Sequence, residues 1–211
     1  MPWHRRQQLP APSLDLPWQT REYCVLDFET TGLNLRRDDI ISFGAVTIRA
    51  GRIDLSSADY GLVIPRRRSS AASFAVHALG EHDLAGGMPI RECAARLAHC
   101  LVNRILVAHA AWIETALVSR ALATCGQRFH GSVIDTAALA RAARLAEAGP
   151  GREPSIEYLS RRLGLPVHTP HHALGDALGT AQLFLVLAAR LGDETLTAGD
   201  LLALSRANTR R

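Results

Sequence analysis

Lysine is absent from this chain: all 24 of its basic residues are arginine. Against 20 acidic residues they leave a formal net charge of +4 and a pI near 9.2, which favours an anionic partner only mildly. Arginine forks onto phosphate, but a composition rich in Ala, Leu and Arg reflects coding bias equally well. The four cysteines, Cys24, Cys93, Cys100 and Cys125, have no C-x-x-C spacing. That argues against zinc and disulfide frameworks and leaves them as small core residues of a reduced protein. No apolar segment follows Arg5 and Arg6, where Gln7, Gln8 and prolines stand instead, and no later apolar run approaches membrane-spanning length. The expectation is a soluble, cytoplasmic protein with no membrane partner. Internal repeats and low-complexity tracts are missing too.

What is present is enough for one well-buried domain: 211 residues, 47% of them hydrophobic. Residues 1–20, polar and Pro-containing with Trp3 and Trp18 as anchors, read as an extended or disordered leader. Residues 21–192 read as the domain, and 193–211 as a short C-terminal tail that opens with a helix near Thr197. Strand patterns cover Tyr23 onward, Ile40–Ile48 and Ile53–Ile64, the last two joined by a turn too short for anything but antiparallel pairing. Residues 65–88 look irregular. Helical spacing over 90–102, 111–124, 136–148, 155–163 and 173–191 then alternates with strands at 105–108 and 133–135. The expected fold is α/β, a mixed five-stranded sheet flanked by helices, three strands antiparallel and two parallel.

The chemistry concentrates where the first strand ends, in Asp27-Phe28-Glu29-Thr30-Thr31-Gly32. Side chains at i and i+2 of a strand share a face, so Asp27 and Glu29 project together. Two buried like charges are costly unless a cation neutralises them, and hard oxygen donors suit Mg²⁺ or Mn²⁺. Two further segments put polar groups where a plain core would not. The strand at 105–108 runs into His109, followed by Glu114 in the first turn of a helix, and His171-His172 precede an otherwise apolar helix that carries Asp176.

In this order and at this spacing the chain resembles the DEDDh 3′-to-5′ exonucleases, typified by the proofreading epsilon subunit of bacterial DNA polymerase III, on the ribonuclease H-like fold. The resemblance covers roughly residues 21–190. The first motif is complete in Asp27 to Gly32, and the third, H-x-A-x-x-D, in His171, Ala173 and Asp176. The second departs from the usual H-N-x-x-F-D: Ala110 stands for the Asn and Glu114 for the Asp.

The resemblance implies hydrolysis of phosphodiester bonds at the 3′ end of single-stranded DNA or RNA, releasing nucleoside 5′-monophosphates. Asp27, Glu29, Glu114 and Asp176 would hold two Mg²⁺ or Mn²⁺ ions, and His171 would act as general base. Helical periodicity alone favours His172, one turn before Asp176; the two readings agree if His171 precedes the helix. Thr30, Thr31, Gly32 and Leu33 would contact the terminal nucleotide. The run Arg66-Arg67-Arg68 reads as a solvated face in preference to a backbone contact, and Asp135 as a helix cap in preference to a ligand. The alternative function is a catalytically weak or inactive nucleic-acid-binding module of the same fold, motivated by Glu114 and Ala110. Polymerase association is compatible with the family but not indicated by the short stretch after Leu191, and oligomeric state stays open.

Overall fold

Five strands form one mixed sheet in the order β3-β2-β1-β4-β5 in the computed structural model, which describes residues 12–146 and 153–209. β1 (Tyr23–Thr30), β2 (Ile40–Arg49) and β3 (Arg52–Leu62) are antiparallel, and β4 (Ile105–Ala108) and β5 (Val133–Asp135) add in parallel. This is the expected α/β arrangement, and it follows from connection length. The β2–β3 turn allows only a hairpin, whereas β4 and β5 arrive through crossover helices.

Side-chain alternation along β1 divides the core in two. Cys24, Leu26 and Phe28 pack with α3 (Ile90–Leu101) and α4 (Trp112–Ala123) on one face. Tyr23 and Val25 pack on the other, with α5 (Thr136–Ala142), α6 (Ile156–Leu163), α7 (Ala173–Leu191) and α8 (Ala198–Asn208). Asp27 and Glu29 continue the second series, so the sheet's own period delivers both carboxylates to the α7 side.

Five expectations need correction. Residues 12–20 are not a loose leader: Trp18 is buried edge-on against Phe184, at 5.9 Å between ring centroids. Its carbonyl accepts the Tyr23 hydroxyl at 2.8 Å, and residues 1–11 lie outside the described residues. The tail is likewise part of the domain, because α8 buries Ala198, Leu201 and Leu202 in the α7-side core and Ser205 Oγ accepts the Asp135 N–H at 2.9 Å.

Residues 65–88 contain two short helices, α1 (Ala71–His77) and α2 (Glu81–Leu84). α1 is capped by Ser70, whose hydroxyl accepts from the Ser73 N–H, and its hold on the end of β1 depends on tertiary contacts that periodicity does not report. The helix foreseen at 136–148 stops at Ala142, with 147–148 outside the described residues. Finally, α7 is 19 residues long and apolar enough, at mean hydropathy 1.3, to match a membrane span by length and composition. Its apolar side chains cover β1 and β2.

Candidate active site

Strand β1 and the first turn of α7 build the centre of the site. Carboxylate oxygens of Asp27, Glu29 and Asp176 lie within 4.8 Å of one another. The approach of α7 depends on a glycine. Gly44 pairs with Asp27 across the β1–β2 ladder, and a Cβ at Gly44 would overlap the backbone of Ala173 and Leu174. Without that side chain the helix start rests directly on the sheet, and Asp176, one turn in, reaches Asp27. A glycine inside an apolar strand signals close backbone approach; that was the readable trace of a residue the sequence reading passed over.

The histidine pair separates in space. His171 precedes the helix in the left-handed region (φ +57°), donates its backbone N–H to Asp176 Oδ2 at 2.9 Å and lines the pocket that holds the carboxylates. His172 caps α7, accepting from the Gly175 N–H at 3.4 Å. Its ring stacks on Tyr60 at 4.5 Å between centroids, away from that lining. Helical spacing misdirects here because regular helix begins only at Ala173.

Glu114 enters from α4, which packs on the opposite face of the sheet, so its carboxylate stands outside the Asp27–Glu29–Asp176 trio. It lines the same pocket, is 4% exposed, and its Oε2 has no hydrogen-bond partner. Asp135 fixes the turn before it, capping α5 through the Ala137 N–H (2.8 Å) and accepting the Ala110 N–H (3.0 Å). Ala110 sits at φ +54°, a conformation that Asn adopts more readily than Ala. His109 is held at both ring nitrogens, by Thr136 Oγ1 (2.9 Å) and the Pro154 carbonyl (2.6 Å). It thereby ties β4 to α5 and to the segment entering α6.

That segment contributes Glu157, which the sequence reading missed. It lies in the first turn of α6, beside its cap Ser155, and lines the pocket. Substrate-side residues divide as well. Thr30, Gly32 and Leu33 line the opening, Leu33 at 89% exposure. Thr31 lies beneath the turn at 1% exposure, with its hydroxyl donating to Asp38 (3.3 Å) and accepting from the Asp39 N–H (3.0 Å). Over the top, α1 is fastened to β1 by Ser73, whose hydroxyl donates to the Thr30 carbonyl and meets His77 Nε2 at 3.1 Å.

The pocket encloses about 670 Å³ and is lined by the five carboxylates Asp27, Glu29, Glu114, Glu157 and Asp176, with no arginine among its lining residues. The electrostatic result is uniform across Asp27, Glu29, Asp176 and Glu114. Burial, then the charges of Glu114, Asp176 and Glu29, raise Asp27 well above the ordinary carboxylate range. Glu29 is pushed to about 7 by burial and Asp176. Asp176 is raised to about 6 by burial and Glu157, with the His171 N–H and ring pulling the other way. Glu114 is raised well above its usual value by burial, helped by Asp135 and opposed by its own helix N–H. Crowded acids with an orphaned oxygen and no arginine beside them fit a hard divalent cation.

The exonuclease family model (RNase T type) matches residues 24–184. The chain is 34% identical over 186 residues to a DNA polymerase III subunit epsilon-like protein of Rhodobacter capsulatus, covering 87% of this chain and 26% of that protein. It is 32% identical over 182 residues to a PolC-type DNA polymerase III of Thermotoga petrophila, covering 82% and 12%. The chain thus spans only a minor part of these relatives. Among solved structures, Exonuclease X in complex with 5′ overhanging duplex DNA superposes at a TM-score of 0.67 with 27% identity, over 87% of this chain and 99% of that one. Escherichia coli Exonuclease I in complex with a dT13 oligonucleotide, at 0.69 and 13% identity over 81% and 41%, shares the fold. With the family model running from β1 into α7 over this carboxylate pocket, the chain belongs to the exonuclease family, on the ribonuclease H-like fold.

Proposed function

We propose that the pocket hydrolyses the 3′-terminal phosphodiester bond of a DNA strand, with Mg²⁺ or Mn²⁺ as cofactor. The observation that carries this reading is the trio of carboxylates within 4.8 Å, crowded until their proton affinities rise, beside the unpartnered Glu114 oxygen. Asp27, Glu29, Asp176 and Glu114 would hold the ions, which when bound supply an activated water and charge stabilisation at the phosphate. His171 takes the proton of the attacking water: its loop position leaves the ring at the pocket mouth, while its backbone is anchored on Asp176. Thr30, Gly32 and Leu33 border the space for the terminal nucleotide. DNA is preferred as substrate because Exonuclease X, the 27% identical neighbour, was solved with DNA. The domain would include the segment around Trp18 and α8, which share its core.

Glu114's place outside the trio favours one second reading, a binding module with weak catalysis. A single assay decides between them: shortening of end-labelled DNA and RNA oligonucleotides with Mg²⁺ or Mn²⁺, alongside Asp27→Ala. Metal-dependent loss of nucleotides from the 3′ end, abolished by the substitution, is the expected result. Binding without shortening would establish the second reading.

A further inference from the structure

A nucleic-acid strand carries one negative charge per nucleotide, yet the pocket that would take its end is lined by five carboxylates and no arginine. Positive charge gathers just outside it, where two loops meet. Residues 31–39 carry Arg36 and Arg37; residues 63–70 carry Arg66 to Arg68. The loops are fastened together: the Ser70 N–H donates to the Thr31 carbonyl at 2.9 Å, and Arg66 donates to Asp39 from its backbone (3.0 Å) and its guanidinium (2.9 Å). Arg120 holds the first loop from below, donating to the carbonyl of Asp38 at 2.8 Å.

This arrangement dissolves the arginine run and assembles a different group. Arg68 turns to Glu81 at 2.5 Å, whereas Arg66 and Arg67 join Arg36 and Arg37 around an open concavity of about 510 Å³ lined by these four side chains. All four are exposed, and among the described residues Arg36, Arg37 and Arg67 form no ion pair. The nearby acids are occupied: Asp38 accepts from the Asn34 N–H and the Thr31 hydroxyl, and Asp39 is buried under Arg66. Converging like charges of which only Arg66 has a counter-charge are unfavourable alone and favourable to a polyanion, and guanidinium forks match phosphate oxygens. Leu33, on the rim of the carboxylate pocket, belongs to the same loop as Arg36 and Arg37.

We infer that Arg36, Arg37, Arg66 and Arg67 form a second nucleic-acid contact that grips a phosphodiester backbone outside the carboxylate pocket. The backbone belongs to the upstream part of the strand being shortened or to a strand paired with it. The inference rests on the nuclease reading of the pocket, and the test keeps the two apart by measuring binding and hydrolysis separately. In an Asp27→Ala background, fluorescent DNA is titrated over a range of salt with and without Arg36→Ala, Arg37→Ala and Arg67→Ala combined; Arg66 is left intact because it closes the loop on Asp39.

Removing three phosphate contacts should weaken binding about tenfold or more and lower the slope of log K against log salt by about 2 to 3. Hydrolysis of a dinucleotide by the same triple variant with Asp27 restored should stay unchanged. Loss with single strands and duplexes alike identifies the shortened strand; loss only when a complement is annealed identifies the paired strand. The triple Arg→Lys variant should keep most of the salt slope, which separates charge from misfolding. An unchanged slope with both DNAs, or dinucleotide hydrolysis falling in step with binding, overturns the inference. Arginine-dependent binding by a wild-type protein that never shortens a 3′ end would sink the nuclease reading and leave this contact standing.

Discussion

The two ends of β1 are built on opposite terms. At the start, Tyr23 is fully buried, its hydroxyl satisfied by the Trp18 carbonyl, and Trp18, Tyr23 and Phe184 form an aromatic cluster that closes the core. At the finish, four residues on, Asp27 and Glu29 face Asp176 and Glu114 with like charges and an orphaned oxygen. The turns that present them, at Ala110 and His171, are left-handed in residues other than glycine. One end contributes stability and the other consumes it, as expected where geometry is held for chemistry. Substitutions at the two ends should therefore separate activity from stability.

The largest separation is expected from Asp27→Ala. Hydrolysis should fall about 10³-fold or more, since the substitution removes a donor to the cation, while the metal-free protein melts higher at pH 8 because one member of the crowded acid group is gone. Oligonucleotide shortening and thermal melting measure the two effects; an unchanged rate would remove Asp27 from the centre. Phe184→Ala is the mirror image. It should cost about 3–5 kcal/mol by urea unfolding and leave the specific activity of the folded fraction near wild type.

Gly44→Ala falls between the ends, because the residue is packing in form and positioning in effect. The added methyl would lift the start of α7, for roughly 1–3 kcal/mol of overpacking and about a 10²-fold loss of rate. Mn²⁺ binding measured by calorimetry should weaken with it, an effect that a purely structural role would not produce.

Smaller effects should follow pH. The folded acids hold protons more tightly than the unfolded chain does. The stability this gives is complete below the ordinary carboxylate pKa of about 4 and is lost as pH rises through about 6 for Asp176 and about 7 for Glu29. The metal-free melting temperature should therefore fall between pH 5 and 8, and saturating Mg²⁺ should flatten the slope; a melting temperature that rises over this range would contradict the crowding. The smallest change is expected from Ala110→Asn, which suits the left-handed turn and should stabilise by about 1 kcal/mol.

Much of this layout was legible in the sequence because it depends on local periods. Alternation along β1 put Asp27 and Glu29 on one face, and strand spacing set the sheet's mixed topology. Other features depend on which elements meet. The value of Gly44 appears only once α7 is known to cover β2, and Glu157 becomes part of the site only when His109 draws the α6 segment inward. Residues 12–20 look like a polar leader until Trp18 finds Phe184. Helical periodicity pointed to His172, because the left-handed residue before the helix, which brings His171 to the pocket instead, leaves no mark in the spacing.

The pairing of Gly44 with Asp27 also bears on how such a chain can diverge. Insertions and deletions within 31–39 leave the ladder in place, since the register on either side is held by backbone hydrogen bonds and by Phe28 opposite Phe43. A one-residue deletion inside β2 would instead bring a side chain to the helix contact and displace Asp176. Length variation is therefore permitted in the loop that would meet substrate and forbidden in the strand that follows it as far as Gly44, so substrate preference can drift among relatives while the arrangement of carboxylates stays constant.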